Sequence, residues 1–109
     1  MKLQYLGHST FRIISEMGMT IVTDPYKPAM VGLPLPLVRC DVVTMSHHHG
    51  DHDCLDNILG NPTEIDIEGA CVADDVAIQS YKTYHDEQNG KLRGENLVFT
   101  FSIDRKSVV

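Results

Sequence analysis

The residues of this chain best suited to chemistry lie in a short histidine-rich segment. Residues 47–52 read HHHGDH and closely follow the apolar run Asp41–Met45. Imidazole is the commonest metal-donating side chain, and a carboxylate among imidazoles suits zinc or a similar divalent ion. The segment therefore predicts a metal site, which the other elements of the chain must position.

The spacing within this segment separates expected ligands from a bystander. In an extended backbone, side chains two residues apart point to the same side, which would align His47 with His49 and turn His48 away. The glycine that follows permits a sharp turn, after which Asp51 and His52 can approach the same cavity from a second direction. The predicted donors are thus three imidazoles and one carboxylate.

Simpler explanations exist for these histidines. A histidine tract can be a purification tag or a compositional metal-binding stretch. This tract is internal, follows a strand pattern and is interrupted by Gly-Asp, which favours a structured metal site. His85 follows the predicted strand 76–84, and the residues alone leave it open as a further ligand or an ordinary histidine.

Length and composition limit the architecture and the partners. The chain has 109 residues, enough for one compact domain, with 42% hydrophobic and 22% charged residues. Its formal net charge of -6 argues against a generic nucleic-acid surface, although a nuclease that handles phosphates through metals stays open. Three cysteines without CxxC spacing fit a reducing compartment. With no signal peptide or membrane span in the sequence, we expect a cytoplasmic protein.

The periodicity of the chain predicts mostly strands. Residues 2–6, 10–14 and 20–23 read as an antiparallel meander that ends at Asp24-Pro25. The proline-rich stretch 24–36 predicts a loop without regular structure, which either covers the core edge or borders a cleft. The remaining predicted elements are a strand at 41–45 buried on both faces, a short helix at 53–59, and strands at 64–68, 76–84 and 96–101.

These residues resemble a known family. HHHGDH after an apolar strand is similar to the H-x-H-x-D-H signature of metallo-β-lactamase-fold hydrolases. The stretch 5–13 (YLGHSTFRI), the Thr23–Pro25 turn and His85-Asp86 with 90–96 (GKLRGEN) resemble especially its small cytoplasmic, ascorbate-6-phosphate lactonase-like branch. The resemblance covers most of residues 3–103. It implies an α/β (α+β) fold: the N-terminal half of an αββα sandwich, mostly strands with few short helices.

The resemblance also implies roles for individual residues. His47, His49 and His85 match the ligands of a first zinc site, and Asp51 and His52 match ligands of a second.

Two further polar residues match weaker parts of the pattern. Asp24 matches an acidic residue that orients a ligand imidazole from behind, and the alternative for it is a simple Asp-Pro turn. His8 could approach the cleft from the first hairpin, but a structural turn is the simpler expectation. No substrate-binding residue is predicted.

The chemistry implied by the resemblance is metal-assisted hydrolysis. One or two zinc ions, with manganese or iron as alternatives, would activate a hydroxide that attacks a small ester, lactone or phosphoester. Asp51 is the expected catalytic residue, orienting the nucleophile or accepting its proton. The alternatives are a non-catalytic metal-binding fragment of such a hydrolase and a nuclease-type member of the superfamily.

The length of the chain departs from the family pattern. The resemblance implies a protein about twice as long, whose C-terminal half supplies a bridging Asp and a final His. We therefore predict that residues 1–103 are an incomplete metallo-β-lactamase-like domain. Residues 104–109 resemble a translated sequencing adapter and are expected to be a non-native tail, the alternative being a tail that completes the last strand. The expected partners are a small-molecule substrate and, through uncovered sheet faces, further copies of the chain, but neither membrane nor nucleic acid.

Overall fold

The computed structural model describes residues 1–46, 54–73, 75–84, 95–103 and 106–108. Within these residues the chain forms eleven strands and one short helix. They are β1 (Lys2–Gly7), β2 (Thr10–Ile14), β3 (Thr20–Thr23), α1 (Pro28–Val31), β4 (Val38–Arg39), β5 (Val42–Thr44), β6 (Ile58–Leu59), β7 (Thr63–Ile65), β8 (Gly69–Ala73), β9 (Val76–Tyr84), β10 (Glu95–Ile103) and β11 (Lys106–Val108).

The strands form two main sheets and one small one. The first sheet has the order β1-β2-β3-β5-β7, in which β1, β2 and β3 are antiparallel, whereas β5 is parallel to both β3 and β7. The second sheet is antiparallel and has the order β11-β10-β9-β8. The third sheet is the two-stranded parallel pair β4-β6. The first sheet thus changes from antiparallel to parallel at β3, the strand that Asp24 follows.

Two apolar clusters hold these sheets together. The inner cluster joins the two main sheets and consists of Ile13, Ile21, Val42, Val76, Ile78, Phe101 and Ile103. The outer cluster joins the other face of the first sheet to the β4-β6 layer and consists of Val22, Val38, Cys40 and Val43, with Leu6, Leu55 and Ile58 against it. Because alternate residues of a strand point to opposite faces, Val42 and Val43 of β5 enter different clusters. The predicted strand buried on both faces is confirmed.

Most of the strand predictions agree with the structure. The meander is confirmed as β1, β2 and β3, and residues 76–84 form β9 over the whole predicted range. The last strand, β10, is longer than the predicted 96–101 because its nine residues pair one by one with the nine of β9. The predicted strand 64–68 is shifted: β7 ends at Ile65, since its parallel partner β5 is itself only three residues long.

The helix predicted at 53–59 is wrong over its described residues, 54–59. Residues 56–57 form a turn, and Ile58–Leu59 is the strand β6, parallel to Val38–Arg39. The Asn57 side chain donates to the carbonyl of Leu35, and the Asn57 carbonyl accepts from the amide of Val38 at 2.9 Å. These bonds attach the turn to the proline-rich loop, so the apolar side chains cover the outer cluster instead of forming a helical stripe.

The prediction of no regular structure in residues 24–36 needs a smaller correction. Residues Pro28–Val31 form the one-turn helix α1, with proline in its first turn, where no amide is needed, and Gly32 in the left-handed conformation at its end. Among the described helices, none has the length and apolar character needed to cross a membrane.

Candidate metal centre

The predicted ligands are flanked by described residues, although they lie outside the described part themselves. This holds for His47, His49, Asp51, His52 and His85, so their metal-binding roles stay predictions. The site can be built from the residues at the two ends of each segment. Segment 47–53 runs between Ser46 and Cys54, and segment 85–94 runs between Tyr84 and Glu95.

Asp24 is bonded to the residue that precedes His47. Its carboxylate accepts the amide of Ser46 at 2.6 Å and the hydroxyl of Ser46 at 2.8 Å. Its own amide donates to the carbonyl of Thr44 at 2.7 Å. Hydrogen bonds to a charged acceptor are short and strong, so Asp24 holds the end of β5 through both backbone and side chain. Its predicted contact with a ligand imidazole stays a prediction, whereas its place in an Asp-Pro turn is confirmed.

The Asp24–Pro25 turn contacts both ends of segment 47–53. Ser46 is bonded to Asp24, and the amide of Cys54 donates to the carbonyl of Pro25 at 2.8 Å. Asp24 has a positive φ of 41°, a conformation that few residues other than glycine adopt. The hydroxyl of Thr10 donates to the Asp24 carbonyl at 2.6 Å and supports the turn from β2. The Asp24–Pro25 turn thus bonds to the described residue on each side of the histidine segment.

The second sheet meets the first at the same place. The amide of Leu97 on β10 donates to the carbonyl of Ser46 at 2.7 Å. Two residues away, Glu95 pairs with Tyr84, so the two ends of segment 85–94 are neighbours across the β9-β10 ladder. The described residues that flank the two segments, Ser46 for the first and the Tyr84–Glu95 pair for the second, are therefore connected through β10 at one junction between the sheets.

A cavity of about 350 Å³ opens between the two sheets beside this junction. Its polar wall is formed by the ends of β3 and β5, namely Thr23, Asp24, Thr44 and Ser46. The rest of its lining is apolar and includes the aromatic rings of Phe11, Phe99 and Phe101. A largely apolar cavity with a few polar groups at one end has the general character of a small-molecule site.

The thiol of Cys40 lies away from this polar wall, in the outer cluster. Burial raises the pKa of Cys40 to about 11, the carboxylate of Asp41 adds to the increase, and a backbone hydrogen bond from Val22 opposes it. Because metals bind the thiolate, such a thiol is a poor ligand. In the part of the chain that the structure describes, no three His, Cys, Asp or Glu side chains are grouped so as to hold a metal.

His8 lies in the turn between β1 and β2. Its φ is 51°, its carbonyl accepts the Tyr5 hydroxyl at 2.9 Å, and its ring meets the Tyr26 ring edge-on, with centroids 6.1 Å apart. The predicted structural turn is confirmed, and a contact of His8 with substrate stays a prediction.

Sequence reasoning missed the importance of Ser46. Its signal was available: a hydroxyl residue stands between a strand buried on both faces and the first histidine, with an acidic residue at the end of an earlier strand. The role of Leu97 left no such signal, because its bond is made by the backbone amide.

Comparison with known proteins agrees with this architecture. A family model described as "Beta-lactamase superfamily domain" matches residues 2–109. A UPF0173 metal-dependent hydrolase of Methanosphaera stadtmanae is 32% identical over 102 residues, which are 90% of this chain and 43% of that protein. Another UPF0173 metal-dependent hydrolase, from Koribacter versatilis, is 34% identical over 68 residues, 60% of this chain and 27% of that protein. The chain spans less than half the length of these relatives.

A solved structure shows the same fold. It is a Thermotoga maritima protein assigned to the zinc-dependent hydrolases of the metallo-β-lactamase superfamily, 36% identical, with a TM-score of 0.73. The alignment covers 96% of this chain and 45% of that one. The predicted fold class, mostly strands forming half of this architecture, is confirmed. The chain therefore belongs to the beta-lactamase superfamily domain family and has the metallo-β-lactamase fold over the part of that fold that it spans.

Proposed function

We propose that this chain carries the metal-binding part of a hydrolase that acts on a small ester, lactone or phosphoester. The observation that carries the proposal is the junction at Ser46, where Asp24 and Leu97 bond to the residue that precedes the histidine segment, beside the inter-sheet cavity. Relatives named metal-dependent hydrolases support the reaction type and a metal cofactor.

The donor set fits zinc. Imidazole nitrogens and carboxylate oxygens are zinc ligands in hydrolytic sites, and the proposed donors are three histidines for one ion and Asp51 with His52 for a second. A divalent ion bound there would lower the pKa of a water molecule and polarise a carbonyl or phosphoryl oxygen. Asp51 would orient the attacking water or accept its proton, and the apolar walls of the cavity would hold the substrate beside it. Manganese or iron would suit the same donors.

Metal binding can be tested with three neighbouring histidines. The chain and its variants His47→Ala, His49→Ala and His48→Ala are dialysed against zinc, and bound metal is measured by elemental analysis and chelator competition. We expect the His47 and His49 variants to bind zinc at least about tenfold more weakly, because each loses a ligand. The His48 variant is the matched control and should bind as the unaltered chain does. A chain that never binds zinc, manganese or iron would refute the proposal.

Turnover is tested on the same preparations. A nitrophenyl ester, a lactone and a bis-nitrophenyl phosphate are offered with metal, with EDTA, and with metal restored after EDTA. Hydrolysis that EDTA abolishes and metal restores would support an enzyme. Stoichiometric metal without turnover would favour the non-catalytic metal-binding alternative, and RNA binding that weakens with salt would favour a nuclease.

A further inference from the structure

We propose that Ser46 is a positioning residue, whose side chain and backbone together set the affinity of the histidine segment for metal. The metal part of this inference rests on the proposed function. Ser46 stands one residue before His47 and, in the described structure, bonds to both main sheets. It would act through the segment that follows it, in which the proposed ligands begin at His47.

Each polar group of Ser46 has a defined partner. The amide and the hydroxyl donate to the two carboxylate oxygens of Asp24, and the carbonyl accepts from Leu97. The carbonyl belongs to the peptide unit that joins Ser46 to His47, and a peptide unit is planar. The bond from Leu97 therefore restrains the orientation of the peptide plane at which the histidine segment begins.

The hydrogen bond from the Ser46 hydroxyl matters because it adds a second constraint on the Asp24 carboxylate to the one made by the Ser46 amide. The bond from the Ser46 amide alone would hold one oxygen of the Asp24 carboxylate but would leave the carboxylate free to rotate. The hydroxyl bond at 2.8 Å occupies the second oxygen and locks the carboxylate, whose backbone is already held by Thr10 and Thr44. Removing the hydroxyl should loosen the turn that also holds Cys54, and hence both ends of the segment.

The test compares Ser46→Ala with Ser46→Thr and Ser80→Ala. Thr keeps the hydroxyl at position 46. Ser80 is the matched control, because it is a buried serine whose hydroxyl donates to the carbonyl of Ile67 at 2.7 Å, on the second sheet. Zinc affinity is measured by chelator competition, and amide hydrogen exchange of the peptides covering 47–53 is measured without metal.

We expect Ser46→Ala to weaken zinc binding about 10- to 100-fold, the usual effect of removing a group that orients metal ligands. Exchange in 47–53 should become faster while exchange in β9 stays unchanged. Ser46→Thr should stay within about threefold of the unaltered affinity. Ser80→Ala should lower the midpoint of unfolding but leave zinc affinity and exchange in 47–53 unchanged.

The outcomes separate this inference from the proposed function. If the unaltered chain binds no zinc, the proposed function fails, and the exchange experiment alone decides whether Ser46 holds the segment. If Ser46→Ala matches the unaltered chain in exchange and affinity, or speeds exchange in β9 as much as in 47–53, the inference is overturned. Should Ser46→Ala not fold, Asp24→Asn repeats the test, because it keeps the shape of the acceptor and removes its charge.

Discussion

Two buried threonines beside the site differ in what their hydroxyls do. Thr10 is fully buried and donates to the carbonyl of Asp24 at 2.6 Å, whereas Oγ1 of Thr44, which is 1% exposed, has no hydrogen-bond partner among the described residues. Thr10→Val should therefore lower the free energy of unfolding by about 1 kcal/mol, since it removes the donor of this hydrogen bond. Thr44→Val replaces a hydroxyl that has no partner among the described residues with a methyl group. This variant should change the free energy of unfolding by less than about 0.5 kcal/mol, or raise it. Urea unfolding measures both, and equal losses would contradict the distinction.

The raised pKa of Cys40 predicts how stability changes in alkali. Burial and Asp41 raise the pKa of Cys40 from 9.0 to about 11, so between these pH values the unfolded chain loses the thiol proton while the folded chain keeps it. The unfolded state then binds fewer protons, and this residue's contribution to the free energy of unfolding is lost as pH rises through that window. Cys40→Ala removes the contribution. Urea unfolding at pH 8 and pH 10 should show a smaller decrease for this variant than for the unaltered chain, and equal decreases would refute the assignment.

At the scale of an element, the β1-β2 turn depends on glycine because Tyr26 approaches it closely. Gly7 has a φ of 124°, and a Cβ atom there would lie 2.7 Å from the Tyr26 hydroxyl, which is itself 2.7 Å from the carbonyl of Pro34. Gly18→Ala is a matched control: φ is 87°, but no described atom lies within 4 Å of the new methyl group. Gly18→Ala should lose about 1 kcal/mol to backbone strain. Gly7→Ala should lose a further 1–3 kcal/mol, roughly, from the contact. Thermal or urea unfolding gives the difference, and similar losses would mean that Tyr26 moves away freely.

The elements that the sequence predicts correctly are those whose local pattern agrees with their packing. Alternation identifies β9, which buries Val76 and Ile78 on one face, and the apolar run identifies β5, which is buried on both faces. The helix predicted at 53–59 fails since Leu55 and Ile58 have helical spacing but pack beside β4, a partner about 20 residues earlier in the chain. The strand β8 was missed because Gly69–Ala73 is rich in small residues and has little alternation. Pairing with β9 defines that strand.

The candidate site shows the same division. Residue type and spacing predicted the histidine segment, and the family resemblance predicted a role for Asp24, whose carboxylate accepts two hydrogen bonds from Ser46. The partners Ser46, Cys54 and Leu97 were not found, since two of them act through backbone amides that carry no sequence signal. Long-range hydrogen bonds between loops and strands can be read only from the folded chain.

At the scale of the whole molecule, the two sheets are joined in two different ways. Over most of their contact they share the inner apolar cluster, which is non-directional and tolerates small shifts. At the site end they are joined by the directional bond from Leu97 to Ser46, beside a cavity and not a filled core. At the end of the sandwich where the predicted ligands follow the strands, the two layers are therefore separated by a cavity. A bound ion would add a strong link at that position.

This arrangement predicts that zinc stabilises the whole chain and that His85 is needed for the full effect. In the sequence, His47 and His49 follow β5 of the first sheet, and His85 directly follows β9 of the second. An ion bound by all three would therefore connect the two sheets. A ligand that binds only the folded state at a hundredfold excess over its Kd adds about 2.7 kcal/mol to the free energy of unfolding. We expect zinc to raise the melting temperature of the unaltered chain and EDTA to reverse the change. His85→Ala should lose most of the gain, whereas His48→Ala should keep it. Differential scanning calorimetry with and without zinc measures each case. A gain in His85→Ala as large as in the unaltered chain would show that the ion is held by the first segment alone.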